Sequence, residues 1–511
     1  MKPITRKRQA KRKNRIQHRL RPIRWSEQAE PMFAATNIQY EVAERARGMT
    51  YGGIGAIHQV ARRTGLIEAI DANLHLLKIH LPYHESDHVL NIAYNILCGG
   101  SRLEDIERRR NDEVFLDALG AQRIPDPTTA GDFCRRFAPA DVETLTETIN
   151  QVRLRVWRGQ EASFFDEAIL DADGTVAGTT GETKAGMDRA YNGVWGYHPL
   201  VVSLANTGEP LYLVNRSGNR PSSEGAAERF DQAIDLCRQA GFRSILLRGD
   251  TDFTQTRHLD GWDAAGVLFV FGIDAMANLV DRAEGLPTAA WNSLERGPKY
   301  PVRTEPRGRP ENVKEQIVVE RGYENIRLVS EQVAEFAYSP TACRLDYRVV
   351  IVRKNLSVER GQSRLFDDIR YLFYLTNDRR RSAAEIVTLA NGRCHQENLI
   401  EQLKNGVRAM TMPVDSLTAN GAYMVMASLA WTLKAWLALC LPTTGRWADR
   451  RRAEKQTLLR MEFKRFLDGL MRLPVQIVRT GRRIVYRLLG WTPWQGVLLR
   501  AMDVLRRPLR C

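Results

Sequence analysis

The chain has 511 residues, with 75 Lys or Arg against 60 Asp or Glu and a formal net charge of +15. With 43% hydrophobic and 26% charged residues it is ordinary globular material, which excludes a disordered or fibrous chain and allows two to four domains with real cores. Seven scattered cysteines without a CxxC pair argue against a disulfide framework or a zinc cluster and fit a reducing cytoplasm.

The charge is unevenly spread. Residues 1–24 carry eleven Lys or Arg and no acid, residues 441–511 carry seventeen against five acids, and the middle sums to −8. Two basic ends flanking an acidic centre point to a partner of dense negative charge, nucleic acid above all.

The first 24 residues lack both apolar periodicity and the apolar run of a signal peptide, so they read as a disordered basic arm. Lys7, Arg8, Lys11, Arg12 and Lys13 are its candidate DNA contacts. Residues 25–160 read as a helical region for DNA binding or dimerisation. Ile57, Val60, Ala61, Leu66, Ile67 and Ile70 recur at helical spacing, Ser86 is a candidate cap, and helices are expected over 130–137, with Thr128 or Thr129 as cap, and about 139–156.

Near residue 164 the periodicity changes. Residues 168–173, 200–204, 210–215, 244–247 and 267–272 read as strands, with helices over 224–240 and about 254–265. This order predicts an α/β fold in which a mixed sheet is covered by helices, with 161–275 as its first part. Residues 276–380 read as a β-rich insertion with strands near 316–320, 326–328, 347–352 and 371–375, the last of them rejoining the main sheet. Helices return at 382–390 and 394–406 within a second catalytic part, 381–441, and residues 442–511 form a basic helical C-terminal region. The run 422–441 has the length of a membrane span but carries Lys434, which favours a helix buried in a globular core and no membrane partner.

Three segments could carry chemistry. Asp171 and Asp173 end the first strand of the sheet on one face, and Asp250 ends a later strand, where open α/β sheets gather their chemistry. In the stretch 391–404, read as helix, Arg393, Glu397 and Lys404 fall on a common face at spacings of four and seven, with His395 beside Glu397. Asp173, Asp250 and Glu397 are therefore candidate ligands for two Mg2+ ions, with Asp171 as the alternative first aspartate, and Mn2+ can stand in for Mg2+. Arg393 and Lys404 suit phosphate oxygens, and His395 is a further candidate DNA contact. His80, His84 and His88 are interrupted by Pro82 and read as structural or surface histidines.

These segments carry a resemblance. L-D-A-D-G-T at 170–175, L-R-G-D-T-D-F at 247–253, R-C-H-Q-E-N-L-I-E-Q-L-K at 393–404, L-K-N-G-V-R-A-M at 403–410 and the 419–436 stretch resemble a bacterial insertion-sequence DDE transposase. The match is to the insertion-sequence family numbered 1380 and covers about 51–441. The resemblance implies an RNase H-like catalytic domain, and it makes Asp173, Asp250 and Glu397 the catalytic carboxylates. It also implies a Y-x2-R-x3-E-x6-K motif, in which Ala390 stands where tyrosine is expected. The function it implies is metal-dependent cleavage at element ends and strand transfer into target DNA, by a homodimer in a synaptic complex, in the cytoplasm at the nucleoid. The alternatives are a catalytically inactive DNA-binding protein on the same fold and a metal-dependent nuclease without strand transfer.

Overall fold

The computed structural model describes residues 3–21, 35, 38–42, 46–295, 325–359, 368–481 and 483–506. Its centre is a mixed sheet of nine strands: β1 (Ala168–Gly174), β2 (Leu200–Leu204), β3 (Glu209–Val214), β4 (Ile245–Gly249), β5 (Leu268–Ile273), β6 (Asn292–Ser293), β7 (Asn325–Tyr338), β8 (Tyr347–Glu359) and β9 (Asp368–Thr376). They lie in the order β6-β7-β8-β9-β5-β4-β1-β2-β3. The central strands β1, β4 and β5 are parallel and every other neighbour pair is antiparallel.

Central strands covered on both faces read as continuous apolar runs rather than alternating ones. Accordingly every residue of β2 and of β4 is buried. The sequence expectations for these strands fall within a residue or two of the observed ends. The later strands do not form a separate unit, because β9 rejoins the main sheet on β5 (Phe373 opposite Ile273) and β8 and β7 extend the same sheet outward. The strand expected near 316–320 lies outside the described residues.

The helices that matter for the site are α1 (Pro3–Arg19), α2 (Pro139–Arg158), α3 (Ala226–Ala240), α4 (Ala383–Asn391), α5 (Cys394–Glu401), α6 (Leu417–Leu439), α7 (Ala448–Arg460) and α8 (Gln495–Leu505). α3 packs on β1–β4, and α4 covers the other face, over β5, β7, β8 and β9. Beneath α4 a separate apolar cluster gathers Leu246, Val270, Val350, Val352, Ile386 and Val387.

α6 is long and apolar enough to cross a membrane by length and composition, yet its whole apolar window is buried in the protein. It packs against α2, α7, β3 and three helices of the N-terminal region. The Lys434 Nζ donates to the Leu459 carbonyl at 2.9 Å and lies 3.5 Å from the centre of the Trp431 ring. Burial holds its pKa well below the ordinary lysine value. A second buried polar knot ties three elements together. Glu209 on β3 accepts from Arg153 Nε at 3.1 Å and Trp157 Nε1 at 3.0 Å on α2, and from Trp436 Nε1 at 2.9 Å on α6.

The ends of the chain depart most from expectation. The basic arm expected to be disordered is helical as α1, and Arg12 donates to the carbonyls of Leu488 and Gly490. Those acceptors belong to the end of a C-terminal hairpin, Val475–Thr480 with Arg483–Leu488, whose first strand also pairs with Gly48–Met49. No local periodicity announces a partner 476 residues away, which is why the arm reads as unstructured in the sequence. Two caps also differ. Asp126, not Thr128 or Thr129, caps the helix Pro127–Arg135 by accepting from the Thr129 N–H at 2.8 Å. Ser86 sits inside the helix Glu85–Leu97 and donates to Asp71.

Candidate active site

The parallel register of β1 and β4 builds the site. Asp171 stands opposite Arg248, and the same register carried two residues further brings Asp173 level with Asp250 just beyond β4. The two aspartates of β1 therefore meet different partners. Asp171 is fully buried and takes a bidentate fork from Arg248, Nε at 2.7 Å and Nη2 at 2.8 Å. Asp173 faces the strand ends. Gly174 after it leaves room for its neighbours, since a Cβ there would meet His198 Nε2 at 3.0 Å and Ser222 at 3.1 Å.

Glu397 reaches the same place from above. The third Arg248 nitrogen, Nη1, donates to the Leu389 carbonyl at 2.8 Å and so pins the end of α4, where the chain turns through Gly392 into Arg393. Gln396 then fastens α5 to β2, its amide donating to the Val201 carbonyl at 3.0 Å while the Ser203 hydroxyl donates to its oxygen. After α5 the helix widens into a π turn, Gln402–Gly406, which carries Lys404. Arg393 and Glu397 keep the expected four-residue step, but the π turn replaces the single straight helix expected to align Lys404 with them. Such wide turns often occur at functional positions.

Arg393 is the hub. Its Nη1 lies 3.4 Å from Asp173 Oδ2 and 3.3 Å from Asp250 Oδ2, and its Nη2 lies 3.6 Å from Glu397 Oε1. One guanidinium thus gathers three carboxylates from three elements. Negative charge is still in excess. Burial, and next the charge of Asp250, push Asp173 up to about 7 despite Arg393. Asp250 is raised as well, by burial first, with Arg393 opposing. Burial lowers Lys404, against the pull of Glu401 and Asp173.

An all-oxygen donor set of Asp173, Asp250 and Glu397 fits a hard divalent cation such as Mg2+ or Mn2+. Among the described residues, however, no three His, Cys, Asp or Glu side chains gather closely enough to hold one, and Arg393 lies among these carboxylates. A cavity of about 360 Å3 opens beside Asp250 and Arg393. Ala390 lines it, and β9 brings Tyr371 and Tyr374 to the same wall.

Of the remaining expected site residues, those of the basic arm lie elsewhere. His395 is exposed at the start of α5. Lys7, Arg8, Lys11 and Lys13 are exposed on α1, whereas Arg12 is engaged with the C-terminal hairpin. His80 stacks on His84 at 4.4 Å and bonds Glu85, and His88 stacks on Phe133 at 4.3 Å, which matches the structural reading of these histidines. Sequence reasoning missed Arg248, Gln396 and His198 as builders of the site. A signal existed for Arg248 alone, because in R-G-D at 248–250 it shares the strand face of Asp250.

A family model described as "Transposase DDE domain group 1" matches residues 44–509. None of the curated proteins matches the chain. Among solved structures, the chain is similar to a piggyBac transposase seen by cryo-EM in a synaptic complex with hairpin DNA, at 10% identity and a TM-score of 0.36, covering 84% of each chain.

Proposed function

The chain belongs to the transposase DDE domain group 1 family, and on that premise we propose that it cuts double-stranded DNA at the ends of an insertion sequence and joins the freed 3′ ends to target DNA. The meeting of Asp173, Asp250 and Glu397 around the Arg393 guanidinium, at the ends of β1 and β4, carries this reading. We assign these three as the catalytic carboxylates, on a sheet whose β3-β2-β1-β4-β5 order supports an RNase H-like core. They would hold two Mg2+ ions, with Mn2+ able to replace them, while the bidentate salt bridge to Arg248 argues for a structural role of Asp171.

When bound, two such ions stabilise the attacking and the leaving oxygen of an in-line phosphoryl displacement. The chain's own groups do the rest. Gln396 holds the glutamate helix on β2; we assign Lys404 and Arg393 to phosphate oxygens and His395, on the exposed start of α5, to a further DNA contact. Water serves as nucleophile for cleavage and a DNA 3′-hydroxyl for joining, so no covalent protein–DNA intermediate is needed. Lys7, Arg8, Lys11 and Lys13 on α1 suit backbone phosphates. In this reading two copies pair the element ends, the element is of the type numbered 1380, and the protein works at the bacterial nucleoid.

The test uses labelled duplex carrying the inverted repeats that flank the gene, incubated with Mg2+ and wild type or Glu397→Gln. Cleavage by wild type only, followed by strand-transfer products, is the expected outcome. Equal binding with no cleavage by either protein would make it an inactive DNA binder, and cleavage without joining would make it a nuclease.

A further inference from the structure

The assignment of three carboxylates to a cation sits beside a fact about those carboxylates: they already have one. The Arg393 guanidinium is within 3.3–3.6 Å of an oxygen from each of Asp173, Asp250 and Glu397. A guanidinium never loses its proton at physiological pH, so its charge is fixed. A divalent ion would draw on the same three carboxylates, at about 2.0–2.1 Å for Mg2+. Two cations crowded onto the same three carboxylates repel each other. An entering ion therefore competes with Arg393, whose long side chain rises from the turn between α4 and α5, just before the first residue of the glutamate helix.

Where the guanidinium goes decides the energetics. If it swings into solvent, metal binding loses three ion-pair contacts with nothing in return. If a DNA phosphate lies above the strand ends, the guanidinium exchanges carboxylate oxygens for phosphate oxygens of equal or better geometry. Lys404 on the π turn, on whose charge Asp173 acts, is a second cation for the same phosphate.

We propose that Arg393 is an internal latch: its guanidinium occupies the carboxylate site of the DNA-free protein, and a DNA phosphate draws it away and opens the site to metal. Binding of metal and binding of DNA are then positively linked, and by reciprocity each tightens the other by the same factor. The consequence is economy of action: a DNA-cutting centre that stays closed to its ions until the polyanion is seated. This inference rests on the assignment of Asp173, Asp250 and Glu397 made above.

The test measures Mn2+ binding to the full chain by the loss of the free-ion electron paramagnetic resonance signal, without and with a short double-stranded DNA. Without DNA, Arg393→Gln is expected to bind Mn2+ about tenfold or more tightly than wild type, because an internal competitor has gone. DNA should tighten Mn2+ binding to wild type and leave Arg393→Gln nearly unchanged. Adding Asp173→Asn to Arg393→Gln should abolish the gain. If Arg393→Gln binds Mn2+ no better than wild type while Asp173→Asn weakens binding, the latch is refuted and the carboxylate assignment stands. If Asp173→Asn leaves Mn2+ binding unchanged in both backgrounds, the carboxylate assignment itself fails. Should Arg393→Gln not fold, Arg393→Lys gives the same comparison, since lysine keeps the charge but cannot span three carboxylates. Equal Mn2+ affinity of Arg393→Lys and wild type would overturn the proposal.

Discussion

Two aspartates, two residues apart on one strand, should respond in opposite ways to the same substitution. Among the described residues Asp171 is the one carboxylate on the buried fork of Arg248, whose three nitrogens are engaged, two on Asp171 and one on the Leu389 carbonyl. Burial raises the Asp171 carboxyl against the pull of Arg248, but the bidentate fork ties the two groups together, and Asp171→Asn leaves a buried guanidinium without countercharge. Removing one partner of a buried pair costs about 3–5 kcal/mol. Asparagine keeps one acceptor oxygen, so a loss of about 3 kcal/mol is expected, with the α4–α5 junction loosened first. Asp173→Asn should do the reverse. A carboxyl pushed up to about 7 by burial and by Asp250 resists ionisation in the fold. The sign follows: a folded pKa above the unfolded one gives stability below the unfolded value, and that stability is lost as pH rises through about 7. Above that pH, amidation relieves repulsion and should stabilise the metal-free protein by about 1 kcal/mol or more. Urea denaturation of both variants at pH 8, together with the DNA cleavage assay, separates the roles. Asp171→Asn should be destabilised and recover partly when Arg248→Met is added, while Asp173→Asn should be stable and inactive. The reasoning is refuted if Asp171→Asn unfolds like wild type, or if Asp173→Asn is the destabilised variant.

Glu209→Gln removes the countercharge of the buried Arg153 and weakens the junction of α2, β3 and α6; a loss of about 3–5 kcal/mol in urea denaturation is expected, and an unchanged midpoint would show the pair to be dispensable. Burial, with Arg62 next in effect, lowers His58 to about 4, and burial lowers His88 to about 4 with Glu85 opposing. Folded values below the unfolded 6.5 mean that stability is complete above pH 6.5 and falls between pH 6.5 and 4, by at most about 3 kcal/mol for each histidine. His88→Phe should flatten that profile in chemical denaturation measured across this range. Lys434→Met should fold with unchanged or greater stability, since the buried amine makes one hydrogen bond and one ring contact against a large desolvation cost, and a loss above about 2 kcal/mol would contradict this. DNA affinity should fall steeply with added salt, roughly in proportion to the phosphates neutralised, as read from the slope of log affinity against log salt.

The strands β1, β2, β4 and β5 were legible because a doubly covered sheet demands unbroken apolar runs, and the aspartates were legible because strand ends are where such runs stop. Glu397 and Arg393 were legible as an i,i+4 pair. The rest needed distance in the chain to be cancelled. Arg248 reads as a strand residue until the parallel register sets it against Asp171, and Gln396 reads as helix surface until β2 accepts its amide. The basic arm reads as unstructured until the C-terminal hairpin offers carbonyls to Arg12. By itself the sequence determined which residues are acidic, basic or apolar and at what local spacing, and hence the elements and the short list of carboxylates. Only the tertiary structure decided which aspartate is neutralised by a buried arginine and which three carboxylates meet on Arg393. Those outcomes depend on register and packing between segments tens to hundreds of residues apart, where local periodicity carries no information.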